Sequence, residues 1–440
     1  MLAFWRRIMT QKKHMTPLQL IALGFLIVIL LGTILLRMPF SQKQPGSLTL
    51  VDSAFTAVSA VCVTGLVVVD SGDTFNTIGQ TILAILIQIG GLGITSIGVG
   101  LISFRRKHMR VRDQVLIQAA LNYPTMQDIR ELIRSVLLMT LTIEAFGTVI
   151  GAIFFYPDYG FPNALGIAAF HSIASFNNAG FDIFGNWDGM TLYADHIGLN
   201  LLTAFLIISG GIGFFVIRDI LKNRRFSRCS LHTKVVLSMT AILIFGGMLL
   251  IKLTENDQIS WLSAFFTSVS TRTAGFSVVP LNQFSHAGIL LVCLLMYIGA
   301  APGSTGGGVK VTTFYVLIRT ILCYPQGKQP NGFRRRFPAG IVQQALVICS
   351  LAIAIIFTGM LLLCMLEPDI SISFLLLETI SAFATVGLST GITPDLHPIS
   401  KIILMLIMYI GRLGPLTVAS LWFRKQPDAI LLPEEEIPVG

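Results

Sequence analysis

Four stretches of this 440-residue sequence share a pattern that could bind cations through backbone carbonyl groups. Each stretch is semi-polar, ends on a glycine followed by a large apolar residue, and lies between two apolar runs. The stretches begin at Ala54, Ala169, Ala264 and Leu376, and their glycines, each eleven positions further on, are Gly65, Gly180, Gly275 and Gly387. A recurrence of this kind indicates an internal fourfold repeat.

The residue types in these stretches favour a cation filter. Each copy carries a small residue five positions before the glycine, after a short amphipathic pattern typical of a helix. Glycine accepts backbone angles that turn successive carbonyls toward one axis, and such carbonyls replace the hydration shell of a cation. Backbone at membrane depth must line a cavity or be buried in protein, which a re-entrant pore loop satisfies. The alternative, that each glycine caps an ordinary helix, would not explain four matching copies.

We therefore predict a filter of three residues from each copy, with potassium as the bound ion. The fourth copy, Thr385-Val386-Gly387-Leu388, nearly spells the potassium-channel filter TVGYG. The predicted filter residues are Val63, Thr64, Gly65, Asn178, Ala179, Gly180, Thr273, Ala274, Gly275, Thr385, Val386 and Gly387. Asn177 and Asn178 replace threonine-like residues in the second copy, which indicates an asymmetric filter.

The elements that would position these loops are apolar helices. The sequence is 53% hydrophobic and only 12% charged, which is typical of a chain that faces lipid. Four apolar runs precede the loops, at Leu18–Leu36, Val136–Phe155, Val235–Ile251 and Ile341–Leu366, and four follow them, at Ile78–Phe104, Leu199–Ile217, Ile289–Leu317 and Ile399–Phe423. The predicted fold is an all-α polytopic membrane protein with four helix, pore loop, helix (M1–P–M2) repeats arranged with pseudo-fourfold symmetry around one pore. The predicted units cover residues 1–112, 113–229, 230–336 and 337–440.

The distribution of charge predicts the orientation. The segments 1–16, 104–134, 218–234, 319–336 and 424–425 hold 24 of the 31 basic residues and alternate with acidic connections. By the positive-inside rule these segments are cytoplasmic, as are both termini, in a multi-pass protein of the cell membrane. The net charge of +9 is then explained by topology and does not indicate nucleic-acid binding.

The third exit run is interrupted in a way that predicts a gate. The run Gly299–Gly308 contains Pro302 and five glycines, which a straight helix does not tolerate. We predict two half-helices joined by a loop below the filter, with a structural kink as the alternative. The predicted gate residues are Gly303, Ser304, Thr305, Gly306, Gly307, Gly308, Lys310 and Arg412.

Several ionisable residues lie within the apolar runs or the loops. Arg412 is assigned to holding the closed loop, with a cross-link between helices as the alternative. Lys310 could contact the loop or extend toward the cytoplasm. Glu144 could pair with a base of a neighbouring helix or be protonated. Arg272 is expected to point behind the filter, paired with Glu378.

The motifs resemble the Trk/Ktr/HKT superfamily of potassium transporters, and within it the bacterial Ktr membrane subunits. The four glycines carry this resemblance together with the runs Gly299–Lys310 and Gly411–Pro415, and it spans essentially the whole chain. In related plant proteins a serine at the first glycine position accompanies sodium preference, so Gly65 favours potassium here. The resemblance also implies that the interrupted segment is an intramembrane loop beneath the filter.

The resemblance further implies partners that the residues alone do not show. These are the lipid bilayer, a second copy of the chain in a homodimer with one pore per chain, and a cytosolic RCK-type (KtrA-like) nucleotide-binding ring. Potassium is the expected substrate and sodium a possible activator, with no covalently bound cofactor.

Two rival functions belong to other classes. An alternating-access carrier with a midplane site would use broken helices, but its inverted repeats would place loops on both faces of the membrane, whereas these four lie on one. A membrane enzyme is disfavoured because the seven histidines are scattered and the six cysteines form no metal-binding spacing. We expect no enzymatic activity.

Overall fold

The computed structural model describes residues 16–93 and 129–422, and this part of the chain is almost entirely helical. The helices are α1 Pro17–Arg37, α2 Leu50–Cys62, α3 Thr77–Leu92, α4 Ile129–Tyr159, α5 Asn163–Phe176, α6 Ile197–Gly211, α7 Phe214–Asn223, α8 Leu231–Glu255, α9 Trp261–Ser270, α10 His286–Tyr297, α11 Val311–Cys323, α12 Ala339–Leu366, α13 Ile372–Ala384, α14 Pro398–Leu413 and α15 Pro415–Trp422. A one-turn helix covers Ser71–Thr74, and single 3₁₀ turns cover Pro39–Ser41, Gly189–Tyr193, Phe226–Arg228, Asn256–Gln258, Leu281–Gln283, Tyr324–Gln326 and Thr393–Asp395. A two-stranded antiparallel hairpin joins β1 Asn331–Gly332 to β2 Arg335–Arg336.

The order of helices confirms the predicted fold class. A long entry helix (α1, α4, α8, α12) is followed each time by a short pore helix (α2, α5, α9, α13) and an exit helix that begins with α3, α6, α10 or α14. The four entry helices are long and apolar enough to cross a membrane. Large apolar side chains such as Leu30, Ile153 and Phe357 are exposed on them, as a lipid-facing surface requires.

Local sequence signals start the pore and exit helices. Thr49 caps α2 by accepting a hydrogen bond from the Asp52 amide at 3.1 Å, and Ser260 caps α9 from the Ser263 amide at 3.0 Å. Asn76 does the same at the start of α3. These side chains satisfy amides that the first helical turn leaves unpaired, and so they fix where each re-entrant segment begins.

One glycine in each entry helix packs against a pore helix or the adjoining exit helix. A methyl group on Gly32 would lie 3.4 Å from the Ala57 side chain and still closer to Leu86, and one on Gly359 would lie 3.2 Å from Thr379. Gly147 and Gly247 contact the hydroxyls of Ser172 and Ser268. Small residues allow such close approach between helices in a membrane, and here they let the entry helices pack closely against the pore helices.

The exit helices differ from the prediction. The sequence predicts an interruption in the third exit span only, and continuous helices in the other three. The predicted span Leu199–Ile217 is wrong as a single helix, because α6 and α7 meet at an angle of 95°. The break lies at Gly213, whose φ of +87° suits glycine. α14 breaks in the same way at Gly414, with φ of +89°, and α3 ends at Gly93, with φ of +81°. Residues 94–104 of the first predicted exit span lie outside the described residues.

The side of the molecule that the charge pattern predicts to be cytoplasmic is described only in part. Asp219 of α7 accepts hydrogen bonds from the Ser230 amide at 2.9 Å and from the hydroxyl of Thr233, and so ties α7 to the start of α8. Burial alone would raise the pKa of the Asp219 carboxyl, but these bonds together lower it below its usual value. Of the predicted basic segments, residues 1–15 and 104–128 and the whole of 424–425 lie outside the described residues.

Candidate cation pathway

The four predicted filter glycines meet in a ring. A methyl group on Gly65 would lie 2.9 Å from the Cα atom of Gly180, and one on Gly180 would lie 3.0 Å from that of Gly275. The corresponding distances are 3.1 Å from Gly275 to Gly387 and 2.9 Å from Gly387 back to Gly65. Each glycine therefore faces the backbone of the next copy in the order one, two, three, four. None of the four positions has room for a side chain.

The backbone around each glycine is also unusual. The four glycines have φ between +64° and +96°, and the residue two positions earlier is left-handed in every copy. Those left-handed residues are Val63, Asn178, Thr273 and Thr385, with φ between +52° and +73°. Two positive-φ residues separated by one other residue bend the chain sharply from helix into an extended segment. This geometry needs glycine at one position and tolerates other residues, with strain, at the other.

Hydrogen bonds hold the turn in place. The amides of Thr64, Ala179 and Val386 donate to carbonyls five residues earlier, at 2.8–2.9 Å. The amides of Gly65 and Gly387 donate to the Ser59 and Ser381 hydroxyls at 3.0 Å. These two serines lie six positions before the glycine, next to the small residue that the sequence pattern singles out, and they fix the turn in the first and fourth copies.

The third copy departs from the ungapped alignment. Its Ala274 amide donates to the Ser270 carbonyl only four residues earlier, at 3.0 Å. The contact between pore helix and entry-helix glycine shows the same difference. In the third copy the contacting residue, Ser268, lies seven positions before Gly275. In the other copies the contacting residue lies eight positions before the filter glycine, as for Ala57, Ser172 and Thr379. The third turn is therefore one residue shorter, and the sequence spacing alone did not indicate it.

All twelve predicted filter residues lie in these turns. Val63, Thr64, Ala179, Ala274 and Val386 are fully buried, as are the other non-glycine members. The Asn178 side chain bonds with the Thr273 hydroxyl at 3.1 Å, which links the second and third turns.

Asn177 belongs behind the filter, in contrast to its expected filter position. Its amide nitrogen donates to the Gln88 carbonyl oxygen at 2.8 Å and to the Glu144 carboxylate at 3.1 Å. Gln88 itself donates to Glu144 at 3.3 Å. Glu144 therefore has two amide donors and no basic partner among the described residues, which excludes the first of the two alternatives, a pair with a base of a neighbouring helix, within residues 16–93 and 129–422.

The expected pairing of Arg272 with Glu378 is wrong. Glu378 accepts hydrogen bonds from Ser389, Thr390 and Thr393, all of its own repeat. The Arg272 side chain points behind the filter, as predicted, beside a small cavity that Thr240 also lines. It makes no hydrogen bond or ion pair within residues 16–93 and 129–422. The two residues lie in different copies, and each side chain contacts residues other than its expected partner.

The interrupted third exit helix forms a closed loop. α10 ends at Tyr297 and α11 begins at Val311. The two ends of the loop pair with each other, since the Gly299 amide donates to the Val309 carbonyl at 2.8 Å and the Val311 amide to the Ala300 carbonyl at 3.2 Å. The loop in between is thus a compact unit rather than a loose connection.

The loop lies directly against the filter turns. The Gly307 amide donates to the Thr385 hydroxyl at 3.0 Å, and the Thr305 hydroxyl donates to the Phe176 carbonyl at 3.3 Å. Gly306 packs on the Thr273 side chain, and Gly308 on Ala384. A methyl group on Gly306 or Gly307 would overlap the Thr273 or Thr385 side chain, and one on Gly308 would be crowded against Ala384 at the end of α13, at 3.0 Å.

Neighbouring repeats also hold the loop. The Ala301 amide donates to the Gly211 carbonyl at 3.0 Å, and the Phe214 amide donates to the Gly303 carbonyl at 3.0 Å. Ser304 bonds within the loop, to the Ala301 carbonyl at 2.6 Å. The loop is therefore hydrogen-bonded to the second exit helix at the break between α6 and α7.

Two basic residues complete the loop. The Arg412 guanidinium donates to the carbonyls of Thr305 and Gly90, and to that of Gly91 at 3.3 Å. It thus joins the loop to the end of α3, so that both sequence alternatives for Arg412 describe real contacts. Lys310 donates to the Gly306 carbonyl at 2.6 Å and so bonds the loop to itself.

Sequence reasoning missed a second set of glycines. Gly90, Gly210 and Gly411 contact the carbonyls of Val61, Phe176 and Phe383, each four residues before a filter glycine. The exit helices carry Gly-Gly-Leu-Gly at 90–93, Gly-Gly-Ile-Gly at 210–213 and Gly-Arg-Leu-Gly at 411–414. This recurring spacing was a usable signal. It marks both the contact with the pore helix and the break that follows.

Comparison with known proteins agrees with this geometry. A family model described as "Cation transport protein", named TrkH, matches residues 3–431. The chain is 38% identical to the Ktr system potassium uptake protein B of Bacillus subtilis over 97% of both chains. It is 36% identical to the potassium/sodium uptake protein NtpJ of Enterococcus hirae over 98% of both.

A solved structure has the same fold. The crystal structure of the potassium transporter TrkH from Vibrio parahaemolyticus superposes with a TM-score of 0.70 at 19% identity, covering 91% of this chain and 84% of that one. The ring of pore loops and the helical repeats thus define a multi-pass membrane protein of a cation-transporting class, and no enzyme. The chain belongs to the TrkH cation transport protein family, as the sequence resemblance predicted.

Proposed function

We propose that this protein is the potassium-translocating membrane subunit of a potassium uptake system, which conducts ions through the filter turns in a channel-like manner. The observation that carries the proposal is the ring in which each filter glycine abuts the next copy. Such a ring brings backbone carbonyls of four copies around one axis, where they can replace the hydration shell of a cation. The names of the relatives, which take up potassium or both potassium and sodium, support the choice of ion.

Selectivity is tested at Gly65. A side chain there would meet the Ala179 carbonyl and the Gly180 Cα atom, and the φ of +89° would add about 1–2 kcal/mol of strain. We expect Gly65→Ser to lower discrimination against sodium by roughly tenfold or more, equivalent to about 1.4 kcal/mol. Potassium uptake into liposomes in the presence of competing sodium measures this. An unchanged preference in a folded, active variant would remove Gly65 from the filter. The same assay also tests sodium as an activator, through uptake at low sodium.

The loop Gly303–Gly308 with Lys310 is the proposed gate, held closed by Arg412. The position of the loop supports this role, because Gly306 packs on the Thr273 side chain and the Gly307 amide donates to the Thr385 hydroxyl. Removing residues 303–308 eliminates the obstruction and leaves the four turns in place. We expect potassium flux in the variant to rise above that of the intact chain at equal protein amounts. A flux that is unchanged or lower in well-folded protein would make the glycine run a structural hinge.

Regulation by a cytosolic RCK-type nucleotide-binding ring is proposed from the basic segments on one side of the molecule. Among the described residues these include Arg218–Arg228 and the hairpin residues Arg334–Arg336, whereas Arg105–Arg112 lies outside them. Charge reversal of the hairpin arginines should reduce co-purification with an acidic partner without loss of membrane insertion. Retained binding would leave these charges with a purely topological role. Cytoplasmic termini and a homodimer with one pore per chain belong to the same proposal.

A further inference from the structure

One hydroxyl group belongs to both the predicted filter and the predicted gate. Thr385 is the first filter residue of the fourth copy, and its fully buried side chain accepts the Gly307 amide at 3.0 Å. The other contacts of the loop with the filter turns use no filter side chain as a hydrogen-bond partner, since the Thr305 hydroxyl donates to the backbone carbonyl of Phe176 at 3.3 Å. Gly306 and Gly308 only pack against Thr273 and Ala384.

The four copies are not equivalent at this position. Val63 has no hydroxyl, Asn178 has an amide, and only Thr273 and Thr385 are threonines. The Thr273 hydroxyl bonds with Asn178 of the neighbouring turn at 3.1 Å. Only the Thr385 hydroxyl is bonded to the loop, among the described residues. The chain thus contains a natural pair of threonines that share a filter level and differ in their bond to the loop.

We propose that Thr385 is the latch through which the filter and the loop sense each other. This inference rests on the proposed gate. When the loop is closed, the Gly307 N–H directs its positive end at the Thr385 oxygen. A cation at the inner end of the filter would need a lone pair of that same oxygen, and the N–H dipole repels it at this short distance.

Competition for one oxygen makes the coupling reciprocal. A loop that is bonded to Thr385 weakens cation binding at the innermost position, and a cation bound there weakens the closed loop by the same factor. The regulation that follows is a response of the gate to filter occupancy. Potassium at the filter would favour release of the loop, in addition to any effect of a cytosolic partner.

The test is a double-mutant cycle in liposomes without any partner protein. Thr385→Val removes the hydroxyl and nearly keeps the shape, and Thr273→Val does the same at the matched position. Each is measured in the intact chain and in the chain lacking residues 303–308, as initial potassium uptake at equal protein amounts. The deletion background reports what each hydroxyl contributes to conduction alone, so that the ratio between backgrounds isolates the bond to the loop.

A net hydrogen bond corresponds to about a two- to tenfold effect. We expect Thr385→Val to raise uptake in the intact chain by that factor relative to its effect in the deletion background. Thr273→Val should give a ratio near one, and Thr385→Ser should restore the behaviour of the intact chain. Equal ratios for the two valine variants, or a ratio of one for Thr385→Val, would overturn the latch and leave the gate standing. A deletion that does not raise uptake would instead overturn the gate itself, whatever the valine variants show.

Discussion

Two arginines lie beside the filter turns, Arg272 buried and Arg412 half-buried, and their surroundings differ. Arg412, on the last exit helix, donates to three carbonyls from two separate segments, the loop at Thr305 and the end of α3 at Gly90 and Gly91. Arg272, three residues before Gly275, makes no side-chain hydrogen bond or ion pair in the part of the chain that the structure describes. It lies beside the hydroxyl of Thr240, which also lacks a partner there.

This difference shows that burial alone does not reveal what an arginine does within a membrane protein. A guanidinium that donates to carbonyls of two separate segments fixes those segments relative to each other. A buried guanidinium without hydrogen-bond partners is stabilised only by the electrostatic field of the dipoles around it. For Arg272 that field includes the carboxyl end of α9, just before it in the chain, where helix carbonyls favour a positive charge. The first arginine should therefore control a conformation, and the second should matter little for stability.

The largest effect is expected at Arg412. Arg412→Ala removes charge-assisted contacts worth roughly 1.5–3 kcal/mol, and so should raise partner-free potassium flux by about tenfold to a hundredfold, less than the loop deletion. Arg412→Lys keeps the charge but offers a point donor instead of a planar fork, so its flux should fall between those of the alanine variant and the intact chain. Uptake into liposomes at equal protein amounts compares the three.

Two outcomes would contradict the proposed difference between Arg412 and Arg272. Flux that does not change in Arg412→Ala, with the protein still monodisperse, would reduce Arg412 to a cross-link between helices. A rise of similar size in an Arg272 variant would show that the loop responds to any loss of positive charge near the filter and not to the bonds of Arg412.

The ring of glycine turns could be predicted from the sequence because its requirements repeat. Four glycines at one spacing, each with a small residue five positions earlier, reflect four identical steric needs. The gate loop was predicted for a similar reason, since Pro302 and a run of glycines cannot continue a helix. In each case the signal lies within a short segment and depends on backbone conformation.

Contacts between repeats could not be predicted in the same way. The placement of Asn177 against Gln88 and Glu144 joins residues 89 and 33 positions apart, and no local pattern indicates such a pair. The shorter third turn depends on how α9 meets α8, which spacing along the chain does not report. The breaks in the exit helices were different, because their repeated glycines were present in the sequence and were overlooked.

A smaller effect is expected at Glu144, whose acid group is satisfied by neutral donors instead of a base. Glu144→Leu would leave the Gln88 amide nitrogen without an acceptor, at a cost of about 1–3 kcal/mol, whereas the Asn177 amide keeps the Gln88 oxygen at 2.8 Å and the Ile173 carbonyl at 2.9 Å. The apparent melting temperature of purified protein in detergent should fall by several degrees. Glu144→Gln keeps an acceptor oxygen and is the matched control. If both variants melt alike, the negative charge itself is what stabilises this position, and the contrast between bonded and unbonded groups loses its force.

The smallest effect is expected at Arg272, where two contributions oppose each other. Burying a guanidinium without partners costs free energy, while the carboxyl end of α9 returns about 0.3–1 kcal/mol and up to about 2 kcal/mol in a partly buried setting. Arg272→Met fills nearly the same volume with an apolar side chain, which buried charged sites often accept at no loss. We expect a melting temperature that is unchanged or higher, and partner-free flux within about twofold of the intact chain, a factor that corresponds to roughly 0.4 kcal/mol. A clear loss of stability would show that Arg272 is held by stronger interactions than those of α9, and it would place the two arginines in one class.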